Sequence, residues 1–579
     1  MALRESPFPN GLAQGLHAVA WGLILPCFWA LDRLIAACRS TTLERAQRAE
    51  MECYLHPLKV VFSVILFLVL FLIFAPFALL GFLVWVPLQR IRRPFSYYRR
   101  KTEVEDGEGR SGWLQRDDRG TFMFVTANLC LLPDSLARFN NLANTELRAA
   151  IIGRRILQAV SRPRIRIVVD SPIISHGLGP SDTLLSQPTP SCYGAVDVQM
   201  QSPLAGGTGE DVALDGISGS NSGEAAVTML GENVDGFHSL TDMDNGNQAE
   251  GHAKPALQAG GLPSDVPWEV SAWFPAHVDF LCLEEVFDKQ AAAKLSETLS
   301  PVFGHILSDV GVYACWPPGC CTAFKFFNSG LFLASRYPFL EAQYFCFPNG
   351  RGEDALAAKG LLIAKVLIGQ NQRQKNVVGY VNCTHLHAPE GDGTIRYEQM
   401  DMLTAWIREF QAKTRQAGEE VAFDILCGDF NFDNCSPNDA LEQKHSVFDD
   451  YRDPCRAGPG KEKPWAIGTL LEQPTLYDDE VRTPENLQKT LEWEELRRQY
   501  VAAPVPLDGC TLVYPESGCP WVGRRIDYIL YRESTLSRHC HTEVEEYSFV
   551  THLAGLTDHI PVGLRLNVTL NQADNCCQE

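Results

Sequence analysis

Hydrophobic positions are distributed along this chain in three different ways. Near the start, residues 11–31 and 60–89 contain no Asp, Glu, Lys or Arg, and the second run reads VVFSVILFLVLFLIFAPFALLGFLVWVPLQ. About 20 apolar residues suffice to cross a bilayer as a helix, so both runs predict membrane-associated helices. Pro26, Pro76 and Pro87 permit bends within them. From residue 119 onward the pattern changes to short alternating or fully apolar segments: TFMFVTAN, VDFLCLEE, NVVGYVNCTH, VAFDILCGD, RRIDYILY and IPVGLRL. These predict β-strands. Between Pro172 and Asp265 the chain is poor in aromatics and rich in Gly, Ser, Asp and Pro. Such a segment cannot bury enough apolar surface to offset its ordering entropy, and it predicts a disordered insert. The expected organisation is a membrane-associated region over 1–101, a folded domain built from 119–171 plus 266–568, the insert 172–265, and a tail 569–579.

Charge sharpens the first of these regions. Arg33, Arg39, Arg45, Arg48 and Lys59 follow the first apolar run; Arg90, Arg92, Arg93, Arg99, Arg100 and Lys101 follow the second. Two single crossings would place these flanks on opposite sides, whereas the positive-inside tendency favours the cytosol for both. Segments that dip in and return satisfy that tendency. The stretch from Arg90 to Lys101, interleaved with Phe95, Tyr97 and Tyr98, suits an anionic cytosolic leaflet, at about 1 kcal/mol per basic residue near the surface. The alternative is a generic flank of a membrane segment; either reading sets the stretch at the lipid surface. Net charge over the whole chain is −20, which argues against long nucleic acid as a partner. The 19 cysteines are odd in number and show neither a disulfide framework nor zinc spacing, so a mostly reduced, cytosol-facing protein is expected. Cys53 and the adjacent pair Cys320 and Cys321 are candidates for lipid attachment such as palmitoylation.

The chemistry lies at the ends of the strands. Six apolar segments each carry Asn, Asp, Glu or His at one tip: Asn128; Glu284 and Glu285; His385 and His387; Asp429, Asn431 and Asp433; Arg525 and Asp527; Asp558 and His559. Strands sharing one layered α/β core can bring such tips to a common rim, on both sides of the insert. Hard oxygen donors without Cys-x-x-Cys spacing favour Mg²⁺ over zinc. Together with a His backed by an Asp, they describe metal-assisted hydrolysis of a phosphodiester. Strand alternation sets Glu284 on the face opposite Glu285 and out of the site.

The ordered set Asn128, Glu285, THLHAP, GDFN, RIDYIL and TDHIPV resembles the DNase I-like endonuclease/exonuclease/phosphatase superfamily. TANLCLLPDSLARFNNL, DFLCLEEVFDK, NSGLFLASRYP, DALAAKG, CTHLHAPE, CGDFNFDNCS, YRDPCRAGPGKEKPWAIGTLL and the N-terminal PFPNGLAQGLHAVAWGLILPCFWALDRL resemble the neutral sphingomyelinases within it, the type-2 branch and the related mitochondria-associated branch. The resemblance covers nearly the whole chain outside the insert. It implies a four-layer α/β sandwich and Mg²⁺-dependent cleavage of membrane sphingomyelin to ceramide and phosphocholine, with Mn²⁺ as a possible substitute. It also implies roles: Glu285 as principal metal ligand with Asn128 beside it; His559 as general base, oriented by Asp527; Asp558 beside the metal. Asp429 would fix the attacking water or the metal, and Asn431 would donate to phosphate. His385 is favoured over His387 for stabilising charge on the phosphate. Asp354 and Lys359 would bear on substrate access and on activation by anionic lipids such as phosphatidylserine. The implied location is the plasma membrane or Golgi, with mitochondrial or endoplasmic reticulum membrane as the alternative.

Overall fold

A computed structural model describes residues 3–50, 56–100, 119–162, 266–316, 323–472, 478–506, 523–533 and 540–570. All of them belong to one unit made of Met1–Ile165 and Leu262–Glu579; Arg166–Gly261 form a second unit outside the described residues. In chain order the strands are β1 (Ser96–Arg99), β2 (Arg119–Asn128), β3 (Trp268–Ser271), β4 (Phe280–Glu284), β5 (His305–Ser308), β6 (Ala314–Trp316), β7 (Ala323–Lys325), β8 (Phe332–Ser335), β9 (Phe339–Cys346), β10 (Gly360–Gln370), β11 (Asn376–His385), β12 (Glu420–Asp429), β13 (Arg456–Gly458), β14 (Lys461–Glu462), β15 (Asp527–Tyr531), β16 (Cys540–Val550) and β17 (Val562–Leu570). One sheet has the order β1-β5-β8-β4-β2-β17-β16-β3 and the other β15-β12-β11-β10-β9; β6–β7 and β13–β14 are separate ribbons.

The two sheets face each other across a core in which Phe124 stacks on Phe280 at 5.0 Å and Phe423 meets both edge-on. Helices Thr145–Val160 and Lys289–Leu299 cover the outer face of the first sheet, burying Ile152 and Leu295 against Val125, Leu281 and Leu283. Helix Gly393–Thr414 covers the second, burying Met400 and Ile407 against Ile363, Tyr380 and Leu426. Helix, sheet, sheet and helix give the expected four layers, and they explain why the central strands read as continuous apolar runs: both of their faces are covered. The insert interrupts one domain rather than dividing two. β2 precedes it, β4 follows it, and they pair in parallel with Asn128 opposite Glu284.

The apolar runs form α1 (Gly11–Cys38) and α3 (His56–Gln89), with α2 (Thr42–Glu50) between them. Asn10 caps α1, its side chain accepting the Ala13 N–H at 2.9 Å. The two long helices touch where Gly81 of α3 meets α1; a Cβ there would lie 2.7 Å from the Ala20 carbonyl oxygen. The Arg93 N–H donates to the Pro7 carbonyl at 2.8 Å, which joins the entry to α1 with the exit from α3. α1 meets the sandwich along its length. Lys289 lies over Trp21, Phe28 over Phe326, and the Ser135 N–H donates to Asp32. Beyond α1, the Arg138 guanidinium pairs with Glu44 of α2 through two contacts of 2.6 and 2.7 Å.

The basic stretch after α3 departs from expectation. Ser96–Arg99 form β1, an edge strand paired antiparallel with β5, so the folded domain starts before residue 119. Phe95 and Tyr97 are buried between the sheets instead of facing lipid. The side chain of Arg92, assigned above to anionic lipid, is 3% exposed and pairs with Asp309 at 2.7 Å while donating to the Gly311 and Asp309 carbonyls. A four-residue strand among arginines has too little periodicity to show in a sequence, which is why a membrane flank was read there. Arg90, Arg99 and Arg100 are exposed. Lys101, Cys53, Cys320 and Cys321 lie outside the described residues.

Candidate active site

The predicted residues meet at one rim of the sandwich because strand register puts them there. In the second sheet His385 of β11 pairs with Asp429 of β12, and Asp429 pairs with Asp527 of β15, so three functional side chains occupy consecutive cross-strand positions. Gly428 permits this close approach: its φ is +139°, and a Cβ would fall 1.8 Å from the Thr384 carbonyl oxygen. In the first sheet Asn128 ends β2 and Glu285 follows β4. The sheets are joined at the rim by the Asn128 side-chain amide, which donates to Asp429 Oδ2 at 2.9 Å.

Two of these residues adopt left-handed backbone conformations, Glu285 at φ +56° and Asn431 at φ +53°. Such strain in non-glycine residues is held where the surroundings over-determine it, commonly at functional sites. The turn at Glu285 separates it from its neighbour. Glu284 is fully buried between the sheets, accepting from Thr126 at 2.9 Å, and burial raises its pKa well above the usual carboxylate range. It stays out of the rim, as alternation predicts. Glu285 is pushed up to about 7, first by burial and then by the carboxylate of Asp558, against the opposing pull of Lys359, His559 and a hydrogen bond from Asn128.

His559 Nδ1 lies 2.8 Å from Asp527 Oδ2. Burial alone would lower the imidazole pKa, but Asp527, Asp429 and Asp558 together hold it well above the ordinary value. Carboxylate oxygens of Asp429 and Asp527 and a ring nitrogen of His559 lie within 4.8 Å of one another. Asp429 is raised to about 6 by burial and by Asp527. Its Oδ1 accepts the Asn431 N–H at 2.9 Å, while the Asn431 amide donates to the Leu386 carbonyl at 3.0 Å. A rim crowded with carboxylates and a neutral amide is the donor set of a hard divalent cation, and the raised acids show that countercharge is needed there.

His385 Nε2 stands 3.5 Å from Asp429 Oδ2, and its Nδ1 is buried with no hydrogen-bond partner among the described residues. Burial, then Lys359, depress its pKa, so it is a neutral ring. His387 is held elsewhere, its Nε2 2.9 Å from Asp392 and its Nδ1 3.1 Å from Asp354. The two histidines left unranked by alternation thus separate: His385 joins the rim, and His387 braces the loop beside it. Lys359 donates to Asp354 at 3.0 Å and to the Leu386 carbonyl at 3.1 Å; burial would raise the Asp354 carboxyl, but Lys359, His387 and the Ala388 N–H together hold it well below its usual range.

Other strand-end residues are structural. Arg525 is buried against Asp453 and Glu462, and Asp433 accepts backbone N–H groups of Cys435 and Ser436. Residues that sequence reasoning did not single out hold the site in place. Thr469 Oγ1 accepts the N–H groups of Ile526 and Asp527, and its carbonyl accepts that of Ile560. Thr557 Oγ1 donates to the Asn128 carbonyl at 2.7 Å, and the Asn140 amide donates to Asp558 Oδ2 at 2.9 Å. Thr469 and Thr557 lie in loops and Asn140 ends the single 3-10 turn Arg138–Asn140, so no periodicity marks them.

Sandwich and rim define a phosphodiesterase-type α/β protein, and residues 259–559 match the Endonuclease/Exonuclease/phosphatase family. Residues 12–91 match the neutral sphingomyelinase N-terminal transmembrane region. Sphingomyelin phosphodiesterase 5 of Danio rerio is 58% identical over 99% of this chain and 100% of its own length. Sphingomyelin phosphodiesterase 3 of Rattus norvegicus is 42% identical over 99% of this chain and 100% of its own, and sphingomyelin phosphodiesterase 5 of Mus musculus 35% over 98% and 95%. The chain belongs to the sphingomyelin phosphodiesterase family.

Proposed function

We propose that this chain hydrolyses the phosphodiester of sphingomyelin at a membrane surface, releasing ceramide and phosphocholine. The observation that carries the proposal is the His559–Asp527 pair at 2.8 Å beside Asp429 and Asn128, at a rim also reached by Glu285. Glu285 and Asn128, with Asp429 and Asp558 near them, would hold a divalent cation, Mg²⁺ or in its place Mn²⁺. When bound, that cation supplies Lewis-acid polarisation of the phosphate and countercharge to the carboxylates. Asp527 orients the His559 ring and stabilises its charged form. In its neutral form, which countercharge on the surrounding carboxylates would favour, His559 takes a proton from water as the water oxygen attacks phosphorus. The bond from phosphorus to the ceramide oxygen breaks, and that oxygen acquires a proton as ceramide leaves. Neutral His385, buried against Asp429, and the Asn431 side chain are the donors placed for charge on the phosphate.

The exposed Arg90, Arg99 and Arg100 would bind anionic phospholipids such as phosphatidylserine, and the Lys359–Asp354 pair, anchored next to His385, bears on access to the rim. α1 meets the sandwich along its length and its entry is bonded to the exit of α3. In this reading the apolar helices enter and leave the bilayer on the catalytic side, and the positive-inside tendency of their basic flanks favours the cytosol for that side. Plasma membrane or Golgi is the favoured location, with mitochondrial or endoplasmic reticulum membrane as the alternative. The net charge of −20 disfavours nucleic acid. Vesicles of sphingomyelin, vesicles of phosphatidylcholine and abasic DNA, each assayed with and without Mg²⁺, test the reading. Phosphocholine release from sphingomyelin only with the metal is expected; cleavage of DNA but not sphingomyelin would overturn it.

A further inference from the structure

A cavity of about 940 Å³ lies between the apolar helices and the sandwich. That is the upper end of the range typical of ligand pockets. Trp21, Trp29 and Phe74 line it from α1 and α3; Leu136, Phe287 and Phe327 line it from the sandwich. Its catalytic-side wall is built by two segments, 133–136 and 287–290, that begin a few residues beyond Asn128 and Glu285. Phe287 is the junction: a Cβ built on Gly330 would lie 3.0 Å from both the Phe287 ring and the Glu285 backbone. Lys289 at the wall stacks over Trp21 at 4.3 Å and Tyr313 at 4.8 Å, so aromatic faces carry its charge.

We propose that this cavity takes the hydrocarbon chains of the substrate's ceramide moiety. The inference rests on the sphingomyelin reading above. In that substrate the phosphorus is bonded to the ceramide oxygen, so both chains are attached only a few bonds from the reacting atom. A pose that sets the phosphate at Asn128 and Glu285 brings the chains within reach of Phe287, where the wall of this cavity begins. Its outer wall is α3, which carries no charge from Val60 to Gln89 and leaves Leu66, Leu72, Ile73 and Phe77 exposed. The cavity is thus bounded by a helix that itself belongs in lipid, and a chain can pass into it sideways from the bilayer without crossing water.

The test uses the full chain in vesicles. Leu136→Trp and Leu147→Trp fill the cavity from the sandwich side without touching the rim. Each is expected to lower kcat/KM for long-chain sphingomyelin about tenfold, because remote binding energy is lost, while hydrolysis of a water-soluble sphingomyelin shortened in both its acyl and its sphingoid chain is unchanged. Equal loss on both substrates, or loss on neither, overturns the inference. A second measurement does not depend on the variants folding. Sphingomyelin and phosphatidylcholine bearing a diazirine on the acyl chain are photolysed with the wild-type chain under chelator. Sphingomyelin is expected to label the peptides containing Phe74, Phe287 and Phe327 in preference to phosphatidylcholine at equal mole fraction. Equal labelling, or none at those peptides, overturns the cavity assignment even if sphingomyelin is hydrolysed. Preferential labelling without hydrolysis upholds the cavity assignment and removes the proposed reaction instead.

Discussion

At the residue scale, Glu285 and His559 have opposite electrostatic problems that a cation solves together. The Glu285 carboxyl is held up to about 7 by burial and by Asp558. The folded state therefore keeps a proton that the unfolded chain releases near 4.5. Without metal, this group's contribution to stability is present at low pH and is lost as pH rises through about 7. The metal-free protein should melt lower at pH 7.5 than at pH 5.5, and Glu285→Gln should flatten that difference; scanning calorimetry under chelator reads both. Divalent-ion affinity should rise with pH up to about 7 and release a proton, which calorimetric titration in buffers of different ionisation enthalpy detects. Glu285→Ala and His559→Ala should each reduce turnover by about 10²–10⁴-fold while the fold persists, the range expected for an essential acid–base group. Substantial activity in either would remove its assigned role. The residues that carry chemistry were legible because each stands at the tip of an apolar run. Thr469, Thr557 and Asn140 were not, since they act through a few hydrogen bonds from segments without strand or helix periodicity.

At the element scale, the two long helices and the six strands that carry polar tips, β2, β4, β11, β12, β15 and β17, were legible from their patterns; other strands, among them β10, β16 and β1, were not. The burial of β1 depends on pairing with β5, about two hundred residues away in sequence, and no local pattern encodes such a partner. Arg92 marks the cost of the misreading. Its guanidinium and Asp309 are a largely buried pair, and removing one partner of such a pair typically costs about 3–5 kcal/mol. Arg92→Ala should therefore lower Tm by several degrees, whereas Arg100→Ala, with an exposed side chain, should leave Tm unchanged and weaken binding to phosphatidylserine vesicles. The helix pair has its own critical position. Gly81→Val would drive a side chain into the Ala20 carbonyl and Ile24, and it should splay α1 from α3, as a disulfide or spin-label distance measurement across the pair would report.

At the scale of the whole molecule, the membrane region and the catalytic sandwich share a boundary strand. A truncated chain beginning at residue 91 keeps both the Arg92–Asp309 pair and β1 and should self-associate less than one that lacks them. One beginning at residue 119 exposes the edge of β5 and should self-associate, which light scattering distinguishes. A layered α/β core was legible from apolar strands with polar tips, whereas the four layers were implied by the family resemblance. The placing of α1 along the sandwich was not legible, because hydropathy reports that a helix prefers lipid and nothing about what lies against its other side.

The bond from Arg93 to the Pro7 carbonyl closes the membrane hairpin at the end where the chain re-enters the sandwich. An active centre tethered in this way cannot tumble toward its substrate through solution. It drifts in two dimensions and counts molecules per unit area, so its rate should follow the fraction of the leaflet that is sphingomyelin. Diluting that leaflet with inert lipid should slow it as surely as removing substrate, however much sphingomyelin the suspension contains.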